Sequence, residues 1–183
     1  MTDLDSEQVL NFWFVEHGAK DWWMSGPEFD EKIRQRFGAY MHRAEASEFH
    51  VWRETSQGRL AEIIMLDQFT RQVYRGSARA FASDTLATAL TQEAIRAGAF
   101  DELAGDQRSF LIMPLMHSES LAIHDYAKPY FEALDSQETL DSELRHRAVI
   151  ERFSRYPTRN AVLGRENTPE ETEYLETEQK GAV

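Results

Sequence analysis

The sequence predicts an all-α protein of seven to eight helices in antiparallel hairpins. Three observations predict it. Apolar residues recur three and four apart along almost the whole chain, the spacing of one helix face. No run of alternating β-branched residues bounded by turns occurs. Nine glycines and five prolines are few for the many tight turns of an all-β chain of 183 residues. Helices joined by short loops form a bundle or a TPR-like α-α superhelix.

Each element has its own local signal. The first helix is expected from about Asp5 to Glu16, with Val9, Leu10, Trp13 and Phe14 on one face and Gly18 as a stop. Trp22 and Trp23 are expected in the following loop. The second opens at Pro27, where Glu28 and Asp30 suit the positive end of the helix dipole. Phe29, Ile33 and Phe37 are its buried stripe, and it runs to about Ala46. The third spans about Ser56 to Arg75 and ends at Gly76. The fourth opens at Ser83 or Asp84, both good caps, and ends at Gly98. The fifth, about Asp106 to Met116, is expected to kink or break at Pro114. The sixth, about Ser118 to Leu134, is expected to kink at Pro129. The seventh runs from about Glu138 to Tyr156 and stops at Pro157, because the residue before proline disfavours helix. The last begins at Thr168-Pro169-Glu170-Glu171, a capping Thr with a Glu three residues on, and gives way to an acidic tail from about 177.

Composition places these helices in a single domain covering 1–183, a length that buries roughly 70% of the unfolded surface in one core. The chain has no cysteine, so a disulfide scaffold, thiolate zinc site, iron–sulfur cluster or cysteine nucleophile is excluded. No apolar run approaches the ~20 residues of a membrane helix, and the acidic start resembles no signal peptide. A cytoplasmic location is the resulting expectation. The net charge of −12 disfavours nucleic acid and anionic membranes as partners. The charge is uneven, however. Residues 145–165 carry six arginines and a single acid, Glu151. Arginine offers a planar fork for carboxylate or phosphate.

Two helices point charge inward. With Asp67 as reference, Leu60, Ile63, Ile64 and Tyr74 lie within about 60° of it at 100° per residue. Asp67 thus sits on an apolar stripe, continued by Arg71 and Arg75. A lone charge there costs several kcal/mol, so it needs a counter-ion, and Arg71 is one turn away. On the seventh helix His146 shares its face with Val149, Ile150 and Phe153. Arg147 and Glu151 pair on a neighbouring face, and Arg152 and Arg155 lie near the back. These groups either form a satisfied polar core, Asp67 with Arg71 and His146 with a backbone carbonyl, or line a ligand pocket.

Two loops add polar groups. After Pro114 come His117-Ser118-Glu119 and His124-Asp125, which match no strong metal template. The plain reading makes Ser118 a cap, Glu119 a first-turn acid and both histidines partly exposed. After Pro157, Arg159, Asn160 and Arg165 flank Val162-Leu163, which can pin the loop to the core. Such a loop can clamp an anion, or close a salt-bridge network with the acids of the last helix. The chain has no P-loop, G-x-G-x-x-G or G-x-S-x-G motif.

The residues resemble a bacterial family, domain-of-unknown-function family 924. The resemblance runs from Val9-Leu10-Asn11-Phe12-Trp13-Phe14 to Tyr174-Leu175. Its motifs are Leu66-Asp67-Gln68-Phe69-x-Arg71-x-x-Tyr74-Arg75-Gly76, Ala78-Arg79-Ala80-Phe81-Ala82-x-Asp84 and Pro114-Leu115-x-His117-Ser118-Glu119. They continue with His146-x-x-x-Ile150-x-x-Phe153-x-Arg155-x-Pro157-x-Arg159-Asn160-x-x-Leu163-Gly164-Arg165 and close with Thr168-x-Glu170-Glu171. The chain departs at Thr70, where the family favours Pro, at Gln72 (Asn), Ser154 (Gly) and Asn167 (Ser). The resemblance implies a TPR-like helical architecture and no activity. It singles out Asp67, Arg71, His117, Glu119, His146 and Arg159.

The candidate ligand-binding set is therefore Asp67, Arg71, Arg75, His117, Glu119, His146, Arg155, Arg159, Asn160 and Arg165. Its expected ligand is an anionic small molecule or a peptide carboxylate, with no cofactor or metal. The alternatives are a hydrolase and a structural network. In the first, His146 or His117 is the base and Asp67 or Glu119 its orienter, or a metal sits on His117 and Glu119. In the second, the network belongs to a protein-interaction module.

Overall fold

A computed structural model of the chain describes residues 4–24 and 26–177. Every regular element among them is helical. The acidic tail expected beyond residue 177 lies outside the described residues.

The first helix, α1 (6–16), starts where Asp5 accepts from the Gln8 amide at 2.9 Å and the Gln8 side chain accepts from the Asp5 amide at 3.2 Å. This reciprocal cap satisfies two donors that a helix start leaves orphaned. The second half of α1 is a π turn that buries Phe12 and Trp13. Trp22 and Trp23 lie in a short helix, α2 (Ala19–Trp23), not in a loop. Trp22 donates its indole N–H to the Trp13 carbonyl at 3.0 Å, which ties that helix to α1. In α3 (Pro27–Phe37), Phe29, Ile33 and Phe37 are buried as their spacing predicts. The helix ends at Gly38, a 3₁₀ turn follows, and α4 (Met41–Glu45) resumes the path expected of one longer helix.

The centre of the molecule is α5 (56–73). Thr55 caps it by accepting from the Gly58 amide at 3.0 Å. Gly58 is required here, because a Cβ would fall 2.0 Å from the Trp52 carbonyl oxygen. Residues 60–70 are buried on every face, and α1, α3, α6 (Asp84–Arg96), α7 (Ala99–Glu102) and α8 (Asp106–Met116) all pack on α5. Residues 65–69 form a π turn. There the Thr70 hydroxyl donates to the Leu66 carbonyl at 2.7 Å. A side chain inserted into the ladder is a known cause of such local distortion. Proline, which lacks the N–H, would open the ladder at the same place.

The rest of the chain stacks in sequence: α8 against α9 (Leu121–Glu132), and α9 against α10 (Gln137–Phe153). Neither proline breaks its helix; α8 continues through Pro114 and α9 through Pro129. The Thr88 hydroxyl donates to the Pro114 carbonyl, and the Thr91 hydroxyl to the Leu111 carbonyl, supplying donors beside Pro114. The sixth predicted helix begins at Leu121, so Ser118 caps nothing and Glu119 lies in a loop. α10 stops at Phe153, before Pro157, because Ser154 takes the left-handed conformation at φ 58°. A 3₁₀ turn, Pro157–Arg159, leads into α11 (Asn160–Leu163). The last helix, α12 (Pro169–Thr177), starts with the predicted box. The Thr168 amide donates to Glu171 at 2.7 Å, and the Glu171 amide to the Thr168 hydroxyl at 3.1 Å.

The all-helical class is as predicted. The helices outnumber the seven or eight expected, because segments such as 19–23 and 99–102 are too short to leave a periodic signature.

Candidate functional site

Asp67 is 1% exposed and stands in the π turn of α5. Its Oδ1 lies 2.7 Å from His117 Nδ1 and 3.3 Å from Arg71 Nη1. Its Oδ2 accepts from Gln68 at 2.6 Å. Burial pushes this carboxyl up, but Arg71 and His117 outweigh burial and hold it well below the usual carboxylate range. It is therefore an ionised, fully paired carboxylate.

Arg71 extends from α5 to two partners. Its Nη1 donates to the Asp67 carbonyl at 2.7 Å and to Asp84 Oδ1 at 3.0 Å, and its Nη2 to Asp84 Oδ2 at 3.1 Å. Arg159, from the turn after Pro157, meets the same carboxylate, with Nη1 3.0 Å from Asp84 Oδ2, while its Nη2 donates to the His117 carbonyl. Asp84 is thus held between two guanidinium forks. Phe81 lies under both, 5.7 Å from the Arg71 carbon and 4.6 Å from that of Arg159, and Tyr156 covers Arg159 at 4.5 Å. Burial lowers the Arg159 pKa, and the charge of Arg71 lowers it further.

Two imidazoles adjoin this pair, with ring centres 6.4 Å apart. His117 is held by Asp67. His146 is held through Nδ1 by the Ser142 carbonyl at 2.8 Å, one of the partners expected for it. Burial and the Arg71 charge push the His117 pKa down, against the pull of Asp67. Burial pushes His146 down to about 4, against its hydrogen bond to Ser142. Both rings are neutral near pH 7, with Nδ1–H donated. Neither Nε2 has a hydrogen-bond partner among the described residues.

A second ring of contacts fixes the loops that carry these groups. Arg165 grips Glu119 with two bonds of 2.6 and 2.8 Å, and Glu119 also accepts from the Tyr156 amide at 2.7 Å. Burial raises the Glu119 pKa, but Arg165 and the Tyr156 amide bring it below normal. Asn160 accepts from Arg165 at 2.8 Å and donates to Asn167 at 2.8 Å, so Asn160 and Arg165 are framework.

Of the ten predicted residues, Asp67, Arg71, His117, His146 and Arg159 meet, with Glu119, Asn160 and Arg165 beside them. Arg155 and Arg75 do not join them. Arg155 binds Glu171 at 2.6 and 2.7 Å, and Arg75 binds Asp30 on α3 at 2.6 and 2.9 Å. The loop after Pro157 does not pair with the acids of the last helix: its Arg159 and Arg165 turn to Asp84 and Glu119, and it is Arg152 and Arg155, ahead of Pro157, that meet Glu170 and Glu171. Two surface depressions, of about 440 and 320 Å³, are lined by Phe12, His17 and Arg36 and by Leu10, Phe14 and Val15, away from this cluster. The cluster's side chains close on one another rather than around a large hollow. Glu119 orients neither imidazole, and no group of three or more His, Asp or Glu among the described residues is placed to hold a metal. The variant with a metal on His117 and Glu119 therefore has no geometric support.

Four contributors went unread. Asp84 looked like a cap, yet Ser83 takes the cap position and the Asp84 side chain turns to Arg71 and Arg159. Phe81 and Tyr156 carry no local sign of a stacking role. Glu143 did carry one, since it lies about 60° from His146 on the same apolar face. Glu143 is buried and meets His124 Nδ1 at 2.7 Å, while His124 Nε2 faces the Ser118 carbonyl at 3.0 Å. His124, expected to be partly exposed, has no exposed surface.

The chain is matched over residues 9–179 by the family model described as bacterial protein of unknown function (DUF924). The chain belongs to this family. Its fold is similar to that of a solved structure, the protein of unknown function ATU0120 from Agrobacterium tumefaciens. That protein is 35% identical, the TM-score is 0.88, and the match covers 93% of this chain and 96% of the other. No curated protein matches it. Among the described residues, no helix is long and apolar enough to cross a membrane.

Proposed function

We propose that the Arg71–Arg159 pair is a binding site for a small carboxylate or the C-terminal carboxylate of a peptide. One observation carries this reading: two guanidiniums converge on a single carboxylate with hydrogen-bonding capacity to spare. A guanidinium has five N–H donors. Arg71 uses three and Arg159 two on protein acceptors among the described residues. Paired forks over an aromatic ring are suited to planar anions. The unpartnered Nε2 atoms of His117 and His146 add two acceptors. They favour a carboxylate that also carries an O–H or N–H, as the last residue of a peptide does. The test is the unfolding temperature of the protein and of its Arg159→Ala variant across a panel of carboxylates and phosphates. A carboxylate should raise the parent's temperature and leave the variant's unchanged. If no ligand stabilises the parent more than the variant, the reading fails.

A second reading, hydrolysis by acid–base catalysis, is favoured by the Asp67–His117 pair. A buried carboxylate that fixes Nδ1–H and leaves Nε2 unpartnered is the usual arrangement of a general base. On this reading a His117→Ala variant is inactive beside an active parent in a broad hydrolase screen. A parent that stays inactive across that screen counts against it.

A further inference from the structure

We propose that Asp84 is a built-in occupant of the carboxylate site, a tethered group that holds Arg71 and Arg159 in register and is exchanged for the carboxylate of the ligand. This rests on the binding reading above and adds how the site is kept closed and what opens it.

Asp84 already displays the group that fits. Its planar carboxylate spans both terminal nitrogens of Arg71 at 3.0 and 3.1 Å and shares Oδ2 with Arg159 at 3.0 Å. It is the first residue of α6, where an acid ordinarily faces the positive end of the helix dipole. Here Ser83 holds the cap position, and among the described residues the hydrogen bonds of the Asp84 side chain go to the two guanidiniums. Releasing it leaves α6 with the same backbone bonds as before.

The other carboxylate of the cluster is different. Asp67 is 1% exposed and fastened by His117, Arg71 and Gln68, so it cannot leave without unfolding its surroundings. Asp84 and Arg71 are 13% and 20% exposed, so the edge of the fork meets solvent. Phe81 and Tyr156 would keep Arg159 in place while the occupant changes. Asp67 reaches Arg71 but not Arg159, so without Asp84 no shared carboxylate offsets the repulsion between the two guanidiniums, and the site carries its own carboxylate when no ligand is bound. A tethered group competes at a high effective concentration, so the apparent affinity for an external carboxylate falls by the fraction of time the fork is open.

The experiment is calorimetric titration of the full chain and its Asp84→Asn variant with sodium acetate. It is paired with the ¹³C signal of the Asp84 carboxyl carbon in the unmutated protein. Asp84→Asn should bind acetate at least about tenfold more tightly than the parent, because the competing charge is gone. In the parent, the Asp84 signal should move along the same saturation curve as acetate binding. If the parent binds acetate but the variant binds no tighter and the Asp84 signal stays fixed, the exchange is wrong and the binding reading stands. If neither protein binds acetate, the binding reading falls and takes the exchange with it. Should the variant fail to fold, the parent's Asp84 signal decides alone.

Discussion

At the scale of single residues, neutral imidazoles and an ionised carboxylate share one interior. His146 has its pKa pushed down to about 4 by burial, against about 6.5 when unfolded. The unfolded chain therefore binds this proton more readily between those values. Stability from His146 is complete above pH 6.5 and is lost as pH falls towards 4, a change of roughly 2–3 kcal/mol. His117 is shifted in the same direction. Asp67 adds a later loss, since its lowered pKa stabilises the fold above pH 4 and ceases to do so in stronger acid. Unfolding midpoints measured from pH 7 to pH 4 should fall in the parent and fall less steeply in His146→Leu. Parallel curves would show that His146 is not a neutral buried base. Removing Asp67 leaves Arg71 without one of its two carboxylate partners. Asp67→Ala should therefore cost about 3–5 kcal/mol in denaturant unfolding. An unchanged midpoint would mean that the ion pair contributes nothing to stability.

At the scale of elements, helix ends carry testable chemistry. Ser154 closes α10 at φ 58°, a conformation that costs a residue with a Cβ about 1 kcal/mol and glycine little. Ser154→Gly should raise unfolding stability by up to about 1 kcal/mol, and a loss of stability would show that the hydroxyl has a role the geometry does not reveal. The elements also explain what was legible in the sequence. Phe29, Ile33 and Phe37 announced α3, and Thr168 with Glu171 announced α12, because their signals are local. The break at Gly38 was not legible, since a lone glycine inside a helical pattern is tolerated at a cost of about 1 kcal/mol and need not end the helix. The starts of α9 and α2 were missed because loop hydrogen bonds, such as His124 to the Ser118 carbonyl and Trp22 to the Trp13 carbonyl, decide them from a distance.

At the scale of the whole molecule, the arginine-rich stretch 145–165 supplies ties rather than a positive surface. Its partners are Asp84, Glu119, Asp125, Glu170 and Glu171 from outside the stretch and Glu151 from within it. Helical angle showed that Asp67 and His146 point inward, but not that their two helices would bring them to one cluster. It could not show which acid each arginine would choose, because that depends on how α5, α6 and the turn at 157–159 come together. Asp84 is the clearest case: the position was visible as a helix start, while its partners lie 13 and 75 residues away. The fold thus gathers charges from four distant segments on one internal seam with a narrow exposed edge.

The claim that this edge receives a carboxylate is tested most directly by the Nε–H signals of the arginines in a ¹⁵N spectrum during an acetate titration. The Arg71 and Arg159 signals should shift together along one saturable curve, while those of Arg155 and Arg165, held by Glu171 and Glu119, stay in place. Signals of Arg71 and Arg159 that remain fixed while acetate saturates, or that drift no more than those of every other arginine, would contradict it.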